Sequence, residues 1–168
     1  MISLKKIKAV TSSPKFIAFA DFVIEGAGDR DFPCYQEMDL MKIPSLVPNI
    51  WVFDLRGGLD NGAKYHFSGT KVDEHFGRTL TGLMLEDIYS GDDYEQVVTG
   101  CYHKAFRQKK VAYTYRTARY ADSLIDRFNL VETLMFPCSS NNSDIDFAIG
   151  LVTYSQVDQK VENIYTLL

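Results

Sequence analysis

The side chains with the widest chemical repertoire in this chain of 168 residues are ten tyrosines, three histidines and three cysteines. His66, His75 and His103 stand 9 and 28 positions apart, which matches no metal-ligand spacing such as H-x-x-x-H. A haem needs only one proximal histidine, and His75 or His103 could approach a pocket. An isolated histidine nevertheless reads first as a surface or helix-flanking residue. Cys34, Cys101 and Cys138 are odd in number and widely spaced with no C-x-x-C, so the chain reads as having neither a zinc site nor a disulfide framework. They read as reduced, mostly buried thiols, and no metal is expected.

No nucleophile elbow or P-loop is present, and Gly26-Ala27-Gly28-Asp29-Arg30-Asp31 lacks the third glycine of a dinucleotide fingerprint. The carboxylate pairs Asp73/Glu74, Glu86/Asp87 and Asp92/Asp93 fall at helix starts or on polar faces, where they complement the helix dipole rather than suggest acid/base work. No catalytic residue is assigned. The enzymatic alternative is a small cone-shaped α+β isomerase or hydrolase, with Tyr65 and a nearby carboxylate or histidine moving a proton.

A different constellation points to binding. Trp51, Phe53, Tyr65, Phe67, Cys101, Phe106, Tyr113 and Tyr115 are the candidate walls of an apolar pocket, or else the contents of a dry core. Tyr65 is the sharpest of these, because a buried hydroxyl requires a ligand, a water or a carbonyl. Arg107, Lys109, Lys110, Arg116, Arg119 and Arg127 alternate with Tyr113, Tyr115 and Tyr120, and Arg119 to Asp122 fits a loose R-x-x-D. The cluster reads as a solvated strand face or a docking surface for an acidic partner before it reads as a nucleotide site. Lys and Arg total 18 against 22 Asp and Glu, and a net charge of −4 opposes general attraction to nucleic acid.

These residues must be positioned by elements whose order is legible. Ser13-Pro14 opens a helix in which Phe16, Phe19, Ala20 and Val23 share a face. Phe16, Phe19 and Val23 are candidates for a dimer or partner surface, the alternative being packing on the chain's own sheet. Pro33, Pro44 and Pro48 forbid long elements over 29–48, which reads as a connecting wrap. A hairpin follows at 50–55 and 65–68, its alternation placing Tyr65 and Phe67 on one face. Short helices follow at 70–76 and near 85–88. The longest helix comes after them, starting at Asp93 with Tyr94, Val97, Val98, Cys101, Ala105 and Phe106 on one face. Strands at 111–117, 127–136 and 145–151 close the pattern. A five-stranded antiparallel sheet results, the last three strands forming a meander that the hairpin joins at its edge, with helices on one face.

With 46% hydrophobic and 24% charged residues, the chain is of ordinary globular composition and sized for one domain. No secretory signal or membrane-length apolar run is found, so the cytoplasm is the expected compartment and no membrane partner is expected. The division expected is an N-terminal helical extension over 1–28, a domain over 29–158 and a tail over 159–168.

Two strands, short helices, a longer helix and three strands resemble the PAS fold. The closer resemblance is to the stand-alone bacterial PAS-domain family (PAS_5-like), carried by Ile43-Pro44-x-x-Val47-Pro48-x-Ile50-Trp51-Val52-Phe53-Asp54, by Tyr65-x-Phe67-x-Gly69-Thr70, and by Phe76-Gly77-Arg78-x-Leu80-Thr81-Gly82. It covers roughly residues 30–155, and Pro137 fits the family's apolar run ending in proline. The resemblance implies a PAS-like α+β domain with a sensory or protein-interaction role and no catalysis, binding a small molecule, a protein partner or a second copy of itself. An adaptor without ligand is the alternative. The resemblance names no cofactor. Light-sensing relatives surround their cysteine with Asn-Cys-Arg-Phe-Leu-Gln, whereas here Gly100-Cys101-Tyr102-His103-Lys104 stands, which disfavours a flavin.

Overall fold

The computed structural model describes residues 2–88, 93–119 and 128–168. Two helices come first, α1 (Leu4–Lys8) and α2 (Pro14–Ala27), then 3-10 turns at Tyr35–Glu37, Leu40–Lys42 and Val47–Asn49. Strands β1 (Ile50–Asp54) and β2 (Lys64–Ser68) precede α3 (Thr70–Phe76), α4 (Leu85–Ile88) and α5 (Asp93–Gln108). Strands β3 (Ala112–Arg119), β4 (Phe128–Cys138), β5 (Phe147–Val157) and β6 (Ile164–Leu167) complete the chain.

The protein is α+β, and its strands form one antiparallel sheet in the order β2-β1-β5-β4-β3-β6. The hairpin joins the edge of the meander, as the element order requires. The strand count is six rather than five, because Ile164–Leu167, expected in a tail, pairs with β3 from Ala112↔Leu167 to Tyr115↔Ile164. Strand β4 also runs through Pro137 to Cys138. It has already passed the end of β3 at Met135, so the missing proline N–H costs no ladder bond on that side.

Helices cover both faces, which corrects the one-sided cover. Trp51, Phe53, Tyr65, Val131, Met135, Ala148 and Val152 point to one side, under α3, α4 and α5, where Val72, Leu85, Val98, Tyr102, Ala105 and Phe106 meet them. Ile50, Val52, Leu134, Phe136, Ile149 and Leu151 point to the other, against Ile7 of α1 and Phe16, Phe19, Ala20 and Val23 of α2. Alternation along three central strands leaves two apolar faces, and a second cover is the physical consequence. The 29–48 wrap contributes too, burying Cys34 and Leu46.

Two phase shifts separate pattern from structure. Val52 pairs with Phe67 but Phe53 pairs with Tyr65, so His66 is an extra residue in β2. This bulge turns Tyr65 and Phe67 to opposite faces, where strict alternation had put them together. On α5, Val97 is exposed while Tyr102 is buried with Val98, Ala105 and Phe106, so the apolar face is rotated from that expected. The side chains of Asp93 and Tyr94 lie outside the described residues.

Candidate functional site

The expected chamber lies between the sheet and the helices α3 to α5. Trp51 and Phe53 stand at 4.4 Å between ring centroids, Phe53 meets Tyr65 edge-on at 4.7 Å, and Tyr102 closes over Trp51 at 5.6 Å. Phe106 adds an edge contact to Phe53 at 6.2 Å. Gly150 lies directly across from Trp51 in the β1–β5 register, and a Cβ there would overlap the indole, so this glycine admits the ring. Gly69 is held likewise, since a Cβ would collide with the carbonyls of Val47 and Pro48.

What these rings leave is a cavity of about 40 Å³, whose wall includes Trp51, Tyr65, His75, Tyr102, Arg116 and Tyr154. A water takes about 30 Å³ in the liquid, so the space is of single-water size. His75 at the end of α3 stacks flat on Tyr154 of β5, with centroids 3.8 Å apart. Desolvation, with the Arg116 charge second, lowers the His75 pKa from its ordinary value. The described wall residues include no Asp or Glu.

Of the eight expected pocket residues, Trp51 and Tyr65 line this cavity, and Phe53, Cys101 and Phe106 pack in the same core around it. Phe67, Tyr113 and Tyr115 belong to the opposite layer. The bulge at His66 moves Phe67, and β3 presents Ala112, Thr114 and Arg116 to the chamber side, leaving Tyr113 and Tyr115 to face α1 and α2. There the Tyr113 hydroxyl donates to Glu132 Oε1 at 2.9 Å, and Thr11 Oγ1 donates to the same oxygen at 2.7 Å. Burial, then the Glu132 charge, pushes the Tyr113 phenol well up. The trio is a polar clasp between the α1–α2 turn and the sheet.

His75, named as able to approach a pocket, does line this one, and Tyr102, Arg116 and Tyr154 are among the wall residues that sequence reasoning missed. Tyr154 shares parity with Ala148, Gly150 and Val152, so a longer fifth strand would have revealed it. Tyr102 needed the correct helical phase.

Phe16, Phe19 and Val23, expected on a partner surface, are fully buried against the chain's own sheet. Phe19 meets Phe136 edge-on at 5.9 Å. The basic cluster is also divided. Arg116 is 5% exposed and belongs to the interior, Arg107 pairs with Asp60 at 3.1 Å on the surface, and Lys109 Nζ donates to the Ser143 carbonyl at 2.7 Å. Tyr120, Asp122 and Arg127, and the side chain of Arg119, lie outside the described residues, so the R-x-x-D reading does too.

The carboxylates serve local structure. Asp73 accepts from Ser68 Oγ and from the Leu80 N–H at 3.0 Å. Glu86 accepts from the Ala63 N–H at 3.1 Å and meets His103 Nε2 at 2.8 Å. Asp92 and the Asp93 side chain lie outside the described residues. Among the described residues no group of three His, Cys, Asp or Glu side chains is placed to hold a metal ion, and no helix is long and apolar enough to cross a membrane. Cys101 is half-buried on α5, and desolvation raises its pKa against the opposing charge of Lys104. Neither a protein-family model nor any curated protein matches this chain.

Proposed function

We propose that this chain is a non-catalytic regulatory domain of the PAS type, cytoplasmic, that acts by binding a protein partner while its central chamber serves as packed core. The observation that carries the reading is the chamber's size of about 40 Å³ behind Trp51, Tyr65 and Tyr102, too small for a flavin, a haem or an organic substrate. Two further features support it. The β1–β2 hairpin joins the meander at β5, a pairing the element order requires, and Gly69-Thr70, part of the segments that carry the resemblance, begins α3 at the close approach to the Val47–Pro48 turn. A cone-fold isomerase or hydrolase would need substrate-sized room around Tyr65, and the surrounding rings occupy it.

The test is native mass spectrometry of freshly purified protein with an absorption spectrum, alongside crosslinking of the tagged chain in cells that encode it. The expected result is the bare chain mass with no visible absorbance, and one defined protein crosslinked reproducibly. A retained flavin, haem or comparable ligand released on denaturation overturns the packed-chamber reading. Turnover of a small substrate that Tyr65→Phe abolishes would replace it with the enzymatic one.

A further inference from the structure

Beyond Met135, strand β4 has no neighbour in β3, whose end pair is Ala112↔Met135. The proline-rich wrap takes that place. The Ser139 N–H donates to the Pro33 carbonyl at 2.9 Å, the single ladder bond this pair can make because proline has no N–H. The wrap runs antiparallel to β4, since its earlier residues meet the turn that follows the strand. The Phe32 N–H donates to Asn142 Oδ1 at 3.1 Å, and Arg30 Nη2 donates to the Ser139 and Ser140 carbonyls at 2.7 and 2.9 Å. Cys34 continues in extended conformation, with φ −102° and ψ 110°.

One step along this ladder from Pro33 and Ser139, Cys34 falls opposite Cys138. Residues opposite one another in an antiparallel ladder share a face and have Cα atoms about 4.5–5.5 Å apart, and a disulfide spans about 4.4–6.8 Å. Both thiols are free and buried, Cys138 fully and Cys34 at 5% exposure. The Cys34 sulfur lies close to solvent, because it donates to Oε1 of the exposed Gln36 at 3.4 Å. Burial raises the Cys138 pKa and the charges of Asp146 and Cys34 raise it further, which sets the two sulfurs within electrostatic reach of each other. Cys101 packs in the opposite layer.

We propose that Cys34 and Cys138 form a redox couple whose disulfide staples the 29–48 wrap to the end of β4. The oxidant is a small-molecule disulfide. The Cys34 thiolate, its proton lost to water, attacks one sulfur of the oxidant and expels the other half as a thiolate. The Cys138 thiolate, its proton likewise lost, then attacks the Cys34 sulfur and expels the remaining half. Two cysteine thiols are thereby oxidised to one disulfide, and one disulfide is reduced to two thiols. Cys138 is oxidised through its neighbour rather than by a reagent from solvent. In a reducing compartment such a pair serves sensing, not permanent crosslinking. The inference does not rest on the function proposed above.

The test takes the full chain, reduced and then equilibrated with glutathione disulfide, through intact mass, peptide mapping without reduction and a melting curve. The Cys34 and Cys138 peptides are expected to be linked, with Cys101 outside the link. The loop closed is about 100 residues long, so the melting temperature is expected to rise by about 5–10 °C and to return with dithiothreitol. Cys34→Ala removes the link and the rise together, and Cys101→Ser removes neither. The proposal is overturned if Cys34 and Cys138 stay thiols in the folded chain, if glutathione remains on Cys34 with Cys138 still reduced, or if the link goes to Cys101. A melting temperature unchanged or lowered by the link also overturns it, for the wrap would then not be stapled by that bond.

Discussion

Gly150 and Trp51 together decide how completely the chamber is filled. A methyl group at Gly150 would overlap the indole, which packs against the rings of Phe53 and Tyr102. Gly150→Ala is therefore expected to destabilise the protein by about 1–3 kcal/mol in urea unfolding, and Trp51→Phe in the same chain to recover part of the loss. Equal stability of Gly150→Ala and the parent would sink this packing account. The cysteines give a second readout at this scale. Cys138 is fully buried with its pKa raised by desolvation, and Cys101 is raised by partial burial. Because the thiolate is the nucleophile, iodoacetamide should modify Cys101 slowly, at a rate still climbing with pH above the ordinary thiol range. Cys138 should react only once the chain unfolds, and its prompt labelling in the native protein would contradict the structure.

At the scale of elements, α2 determines whether the sheet's second face exists as a core. Phe16, Phe19, Ala20 and Val23 lie at helical spacing and are fully buried on Ile50, Val52, Phe136 and Ile149. Phe19→Ala is expected to cost about 3–5 kcal/mol and to leave the oligomeric state unchanged by light scattering. Removing residues 1–28 would expose this face, so the shortened chain should lose its cooperative melt and aggregate. A shortened chain that keeps the parent's oligomeric state and melts as sharply would restore the view of α2 as a separable appendage. The helix itself was legible from Ser13-Pro14 and its apolar spacing, because those signals are local. Its destination was not, because an amphipathic face fits a partner as well as its own sheet. The same holds for β2, where the pattern Tyr65-His66-Phe67 alternates perfectly and only pairing with β1 inserts the bulge.

For the whole molecule, the sequence by itself determined the α+β class, the order of the elements, the hairpin and meander, and most strand cores. Each of these follows from side-chain periodicity and turn residues within a few positions of one another. The tertiary structure alone decided the sixth strand, the second helical layer and the contents of the chamber. Ile164–Leu167 is too short to announce a strand without the open edge of β3 beside it. Arg116 reads as a surface cation beside Arg119, yet its parity on β3 carries it inside. The volume left between Trp51, Tyr65, Tyr102 and Tyr154 is a small difference between large packed volumes, set jointly by four elements distant in sequence. No spacing along the chain encodes such a difference, and so the sequence could nominate the chamber's rings without saying whether they enclose a ligand or one another.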